Sequence, residues 1–108
     1  MTAEIAIVHT AIDQEEGARA LAEGAVKERL AACSHLDSPF EATYWWQGKL
    51  EKAREWRISY KTTVDRVPEL QAWVHENHPY DVPEFIVLSV VGGSDAYLKW
   101  VADETRPQ

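Results

Sequence analysis

A long β-hairpin rich in aromatic side chains is the feature of this sequence that most constrains its fold. Apolar and polar residues alternate on both sides of Gln47-Gly48-Lys49, where Gly48 supplies the positive φ that a short hairpin loop needs. If the hairpin runs from Phe40 to Thr63, each arm holds about ten or more residues and reaches ~35 Å. A compact chain of this length has a diameter near ~35 Å, so the hairpin should reach or pass the edge of its own domain.

The remaining elements complete a β-α-β-β-α-β order with one further helix. The predicted elements are a strand over residues 4–10, a helix that begins at Asp13 and ends near Cys33, the hairpin, a helix over 66–77, a strand over 84–91 and a short helix capped by Ser94. Asp13 and Glu16 form a capping-box pattern at the start of the first helix. This order is the ferredoxin-like α+β arrangement, in which two helices pack on one face of an antiparallel sheet. We therefore expect residues 1–108 to form one domain of this class.

Two of the predicted strands are apolar on both faces. Ile5 and Ile7 alternate with Ala6 and Val8, and the strand over 84–91 shows the same pattern. The two helices cover one face of the sheet, so a second copy of the chain is the economical cover for the other, with the short C-terminal helix as the alternative. An overhanging hairpin edge rich in Trp and Tyr also needs a partner, which favours a homo-oligomer. The aromatic residues that we expect at this interface are Tyr44, Trp45 and Trp56.

The composition argues against several classes of partner. The formal net charge is −7, and Lys and Arg are scattered among more numerous carboxylates, so we expect no binding to nucleic acid or to anionic membrane surfaces. No apolar run approaches the ~18 residues of a membrane span, and residues 1–4 do not resemble a signal peptide. Cys33 is the only cysteine, which excludes an intrachain disulfide and favours a cytoplasmic location.

Several motifs along the chain carry a resemblance to a known family. They are His9-Thr10-Ala11, Arg29-Leu30-Ala31-Ala32-Cys33, Tyr44-Trp45-Trp46-Gln47-Gly48-Lys49-Leu50-Glu51, Lys61-Thr62-Thr63, His78-Pro79-Tyr80-Asp81-Val82-Pro83-Glu84 and Tyr97-Leu98-Lys99-Trp100. In this order and spacing they resemble the CutA family of divalent-ion tolerance proteins over nearly the whole chain. The resemblance implies a ferredoxin-like subunit in a tight homotrimer that exchanges long hairpins between subunits, and a link to copper and other divalent cations. It also implies an architecture similar to that of the PII signalling proteins, with no settled enzymatic activity.

Two histidines are the metal ligands that this resemblance implies. His78 precedes Pro-Tyr, as does the copper-binding histidine proposed for the family, and His9 stands where the family often has a cysteine. Asn77 replaces a second family histidine and is a poor ligand, so we expect copper(II) or another divalent cation to bind weakly. His75 shares a helix face with His78. The alternative for both is that they stabilise the negative end of the helix dipole.

A second set of residues predicts a small-ligand cleft. The positions that match family residues near a cleft between subunits are Trp46, Lys61, Tyr80 and Glu84, together with His78. An ammonium, a carboxylate and aromatic walls could hold a small anionic or zwitterionic ligand. The alternative is a Lys61–Glu84 ion pair, with the aromatic rings packed at an interface.

Three functions are compatible with these patterns. The first is a trimeric protein that binds divalent cations, copper among them, in metal-ion tolerance or response. The second is a PII-like sensor of a small metabolite, or a signalling trimer, that uses the cleft between subunits. The third is a structural or adaptor trimer that docks another protein. We expect no enzymatic activity, because the sequence lacks a nucleophile–base pair, a phosphate-binding glycine loop and a closed metal motif.

Overall fold

The elements of the chain follow one another in the predicted order, except for a short strand at residues 33–36 that the sequence did not predict. A computed structural model describes residues 4–107; residues 1–3 and 108, which the sequence assigned to the same domain, lie outside the described residues. The elements are β1 (Ile5–Ile12), α1 (Glu15–Lys27), β2 (Cys33–Leu36), β3 (Phe40–Trp46), β4 (Lys49–Thr63), a 3₁₀ turn (Val64–Arg66), α2 (Val67–Asn77), β5 (Ile86–Ser89) and α3 (Asp95–Glu104). No helix within residues 4–107 is both long enough and apolar enough to cross a membrane.

The sheet has the antiparallel order β2-β4-β1-β5, which confirms the ferredoxin-like α+β prediction. The longest strand, β4, is its spine. The C-terminal part of β4 lies between β1 and β2, whereas its N-terminal part pairs with β3 alone. Cys33 opens the short strand β2 instead of ending the first helix, which stops at Lys27.

The hairpin of β3 and β4 extends past the rest of the molecule. Its turn is formed by Gln47 and Gly48, whose φ angles of 49° and 78° are both positive, as a two-residue loop between twisted strands requires. The 15 residues of β4 account for most of the 48 Å length of a molecule only 26 × 23 Å across. The predicted overhang is therefore present.

The core lies between one face of the sheet and helices α1 and α2. Ile58 and Tyr60 of β4 are fully buried there, and the Tyr60 hydroxyl donates a 2.7 Å hydrogen bond to the carbonyl of Leu21 in α1. The two helices are in close contact at Gly24, where an added Cβ would collide with the indole of Trp73. A glycine is needed there because any larger residue would displace that ring.

The opposite face of the sheet, which we call the open sheet face, is covered only in part. Helix α3 crosses one end of it, where Val101 packs against Ile5 and Ala32. Ile86 and Leu88 of β5 remain 49% and 43% exposed. Helix α3 therefore covers one end of this face, as one of the two alternatives predicted; cover by a second copy stays a prediction.

The structure corrects two local predictions and confirms a third. Asp13 does not cap α1, because the helix begins at Glu15 and its N-cap is therefore Gln14, which makes no side-chain cap hydrogen bond; the Asp13 amide donates to the hydroxyl of Tyr80. The last strand covers Ile86–Ser89 instead of 84–91, since it pairs with β1 over that stretch. The predicted cap of α3 is confirmed, as the Ser94 hydroxyl accepts a hydrogen bond from the Tyr97 amide at 3.3 Å.

Candidate functional site

An open groove of about 910 Å³ lies between the hairpin and the segment that follows α2. We call it the hairpin groove. One wall consists of residues 42–46 with Phe40, Glu55 and Arg57, and the other of residues 79–84. The groove exists because β3 and β4 run past the core while the chain after α2 turns back beside them. Aromatic rings and charged groups line the same space, as in many ligand sites.

A short hydrogen-bond chain joins the two walls. The Tyr80 hydroxyl accepts a 3.0 Å hydrogen bond from the amide of Asp13 and donates a 3.2 Å hydrogen bond to Glu55 Oε2. Glu55 is only 9% exposed although it is a carboxylate. Burial, and then the negative charges of Asp13 and Glu55, raise the pKa of Tyr80 above its usual value of 10.0. The phenol is therefore held as a neutral donor toward Glu55.

His78 holds this series of hydrogen bonds in place, and its ring nitrogens are not open to a metal ion. Its side chain is buried at 6% exposure, Nδ1 accepts a 3.1 Å hydrogen bond from the Tyr80 amide, and Nε2 lies 2.8 Å from the carbonyl oxygen of Ala11. A carbonyl can only accept, so Nε2 must carry the proton and donate. Both ring nitrogens are thus engaged with backbone groups, and the ring packs edge-on against Tyr80 at 4.6 Å between centroids. A metal ion could bind His78 only by displacing one of these bonds.

His9 has a different environment from His78. It lies in β1 on the open sheet face, where its Nδ1 is 2.8 Å from the hydroxyl of Ser59. Its other ring nitrogen has no hydrogen-bond partner among residues 4–107. His78, in contrast, follows α2, which packs on the other face. Within residues 4–107 no three His, Cys, Asp or Glu side chains are grouped closely enough to hold a metal ion, so one chain does not present a formed divalent-cation site.

Three of the four predicted cleft residues line the hairpin groove: Trp46, Tyr80 and Glu84. The fourth, Lys61, lies elsewhere in the chain, on the open sheet face, with its ammonium nitrogen 3.4 Å from Nδ1 of His35. No ion pair links Lys61 to Glu84 in the part of the chain that the structure describes. A cleft that contains all four residues would need Lys61 from another subunit, and that arrangement stays a prediction.

The three predicted interface residues differ in exposure. Trp45 is 73% exposed, so most of its surface contacts nothing else within residues 4–107, whereas Tyr44 is 39% exposed and more than half covered. Trp56 is half-buried, packs against the core, and carries the Arg54 guanidinium 5.6 Å from its ring centroid. Trp45 and the exposed part of Tyr44 are therefore available for an intersubunit contact, whereas Trp56 also has contacts within its own chain.

Sequence reasoning missed several charged residues that line the groove: Asp13, Glu55, Arg57 and Asp81. Asp13 was assigned to a helix cap by its spacing to Glu16. Glu55 and Arg57 alternate with Trp56 in β4 as polar residues of an amphipathic strand do, so nothing in the pattern marks either as facing a groove. Asp81 lies inside the His78-to-Glu84 motif, which was the one available signal.

Comparisons with known proteins agree on one family. The sequence profile described as "CutA1 divalent ion tolerance protein" matches residues 6–104. The divalent-cation tolerance protein CutA of Pyrococcus horikoshii is 40% identical over 100 residues, which cover 93% of this chain and 97% of that protein. The crystal structure of CutA1 from Oryza sativa is similar to this chain with a TM-score of 0.94 at 34% identity, covering 99% of this chain and 98% of that one.

The plant relatives are longer than this chain. The chloroplastic protein CutA of Arabidopsis thaliana is 38% identical over 100 residues, which cover 93% of this chain but 55% of that protein. A chloroplastic CutA 1 of Oryza sativa is matched over 56% of its length. The chain thus spans about half the length of these two relatives.

Proposed function

Because the chain belongs to the CutA1 divalent ion tolerance family, we propose that it acts in divalent-cation tolerance as a homotrimer that binds copper(II) or another divalent cation. The observation that carries the assembly is the overhanging hairpin, with Trp45 73% exposed at its end. Free backbone edges on β3 and β5 and the exposed Ile86 and Leu88 add pairing groups and apolar surface. A second and third copy would satisfy both requirements at once.

We propose His9 as the imidazole that contacts the cation. One chain alone does not provide a divalent-cation site. Both ring nitrogens of His78 are already hydrogen-bonded, and no group of three potential ligands is present within residues 4–107. The cation would then be held weakly, with its other ligands supplied on assembly. His78 acts in this proposal as a positioning residue that fixes Tyr80 beside Glu55.

Calorimetric titration of copper(II) into metal-free protein tests this assignment. We expect His9→Ala to weaken binding at least about tenfold, and His75→Ala, which removes an exposed histidine that packs edge-on against Phe85, to leave binding unchanged. We expect His78→Ala to lower the unfolding midpoint more than the affinity, because it deletes two buried hydrogen bonds. Loss of copper binding in His78→Ala with an unchanged midpoint would make His78 the ligand and refute the assignment.

The hairpin groove favours a second candidate, a sensor of a small molecule. The groove has the volume of a ligand site and contains a buried carboxylate, Glu55, beside aromatic walls. A change of shape on binding would reach the hairpin directly, because residues 42–46 form one wall. Thermal stabilisation of metal-free protein by a small metabolite is the outcome that distinguishes this function from the first.

A further inference from the structure

The charged side chains around the hairpin groove are mostly of one sign. Its lining includes four carboxylates, those of Asp13, Glu55, Asp81 and Glu84, against one guanidinium, that of Arg57, a net formal charge of −3. Lys61 of the same chain lies outside this groove, on the open sheet face. The field inside the groove of one chain therefore attracts cations and disfavours anions.

The aromatic residues that line the groove also favour a cationic ligand. Phe40, Tyr44, Trp45 and Trp46 all line it. One of these rings already receives a cation from the chain itself, as the Arg57 guanidinium carbon lies 4.8 Å from the Phe40 ring centroid. Tryptophan faces bind ammonium and guanidinium groups more strongly than phenylalanine faces do. Trp46, 42% exposed, has no such partner within residues 4–107.

Glu55 is the buried charge at the centre of this arrangement. Its one hydrogen-bond partner within residues 4–107 is the hydroxyl of Tyr80, and no cationic side chain there forms an ion pair with it. An ionised carboxylate has about four acceptor positions, and a buried one is stabilised when a cation or further donors reach it. An ammonium group entering the groove would supply that partner.

We propose that the hairpin groove binds a small organic cation, an alkylammonium or guanidinium ion held between Glu55 and Glu84 and stacked on Trp46. The proposal rests on the small-molecule function above and names its ligand class. It differs from the anionic or zwitterionic ligand expected from the sequence, which requires a Lys61 side chain, supplied by another subunit, in the cleft.

A series of four-carbon probes tests the sign of the ligand. Putrescine is a dication, 4-aminobutanoate a zwitterion and succinate a dianion, while the chain length stays the same. Titrated calorimetrically into the metal-free oligomer with Trp fluorescence recorded in parallel, putrescine should bind at least about tenfold more tightly than 4-aminobutanoate, and succinate least. If 4-aminobutanoate or succinate binds best, the groove still holds small molecules but the proposed ligand class is wrong. If none of the three binds, the cation proposal is overturned. The metal-binding function is tested separately, by the copper titration.

Matched variants locate the site. Glu55→Gln and Glu84→Gln each remove one groove charge and should weaken putrescine binding about tenfold or more, with the Glu84 variant as the safeguard if Glu55→Gln folds poorly. Glu23→Gln removes one charge from an exposed position on α1 outside the groove and should change nothing. Equal weakening by all three would mean general attraction to an acidic protein and would overturn the site. Putrescine binding that appears only in Lys61→Ala would assign the groove to a lysine from a neighbouring subunit, which also overturns the proposal.

Discussion

The two halves of β4 form one continuous strand but differ in sequence and surroundings: apolar and polar residues alternate from Trp56 to Lys61, whereas Lys49–Glu55 is mostly charged. In the inner half, Trp56–Thr63, every residue pairs with β1, and α1 and α2 cover one face, so that Ile58 and Tyr60 are fully buried. In the outer half, Lys49–Glu55, the only partner is β3, and Leu50 is 58% exposed. The comparison shows that successive side chains along a strand point to opposite faces of the sheet, but that a face is buried only where helices pack against it.

The largest expected effect is a loss of stability confined to the inner half. Ile58→Ala should lower the free energy of unfolding by about 2–5 kcal/mol, because it leaves a cavity in a fully buried site. Leu50→Ala, in the outer half, should cost about 0.5 kcal/mol or less from contacts within the chain. Urea denaturation at two protein concentrations measures both and separates the part due to assembly. Equal losses at high dilution would show that the outer half is also packed within one chain.

The next effect concerns assembly through the outer half. Trp45→Ala should raise the subunit dissociation constant more than tenfold, since large aromatic anchors commonly contribute ~2 kcal/mol or more to an interface. Trp100→Ala, on α3 at 42% exposure, is the matched control and should have a smaller effect. Light scattering on a dilution series provides the measurement. An unchanged dissociation constant for Trp45→Ala would remove this residue from the interface.

The smallest effect lies at the inner end of β4 and depends on pH. The guanidinium of Arg106 donates to both carboxylate oxygens of Asp65, at 2.8 and 3.1 Å, and its hydrogen bond lowers the pKa of Asp65 from 3.8 to about 2. A carboxyl pKa that is lower in the folded state stabilises the fold above the unfolded pKa, and this contribution is lost as the pH falls from about 4 to 2. The pair is exposed, so the stabilisation amounts to a few tenths of a kcal/mol at most.

Replacing Arg106 checks the origin of this pKa shift. In Arg106→Gln the Asp65 pKa should return toward 3.8, which an NMR titration of the carboxyl measures directly. The stability difference between the variant and the parent chain should disappear by about pH 2. An Asp65 pKa that stays near 2 in the variant would assign the shift to another group.

The sequence predicted the fold well because its strongest signals are local. The turn at Gln47 and Gly48 and the cap at Ser94 depend on neighbouring residues, and the structure confirms both of them. The family resemblance is confirmed as well. His9 and the trimer remain predictions, since neither depends on contacts within one chain.

The contacts that determine the site are not local. His78 meets the carbonyl of Ala11, and Tyr80 meets Glu55 and the amide of Asp13; these partners are up to 67 positions away along the chain. Every residue has a backbone carbonyl, so the sequence cannot show which one a histidine contacts. It therefore could not distinguish a buried, hydrogen-bonded His78 from a metal-binding one. The acidic character of the hairpin groove was hidden for the same reason, because it depends on which of many carboxylates the fold brings together.

Size-exclusion chromatography with light scattering on the purified chain is the most direct test of the central claim, that the overhanging hairpin and the open sheet face are covered by other copies. We expect one species at three times the 12.3 kDa mass of the chain, unchanged over a wide range of micromolar concentrations. A stable 12.3 kDa monomer at those concentrations would show that the outer half of β4 remains solvent-exposed, and would contradict the account.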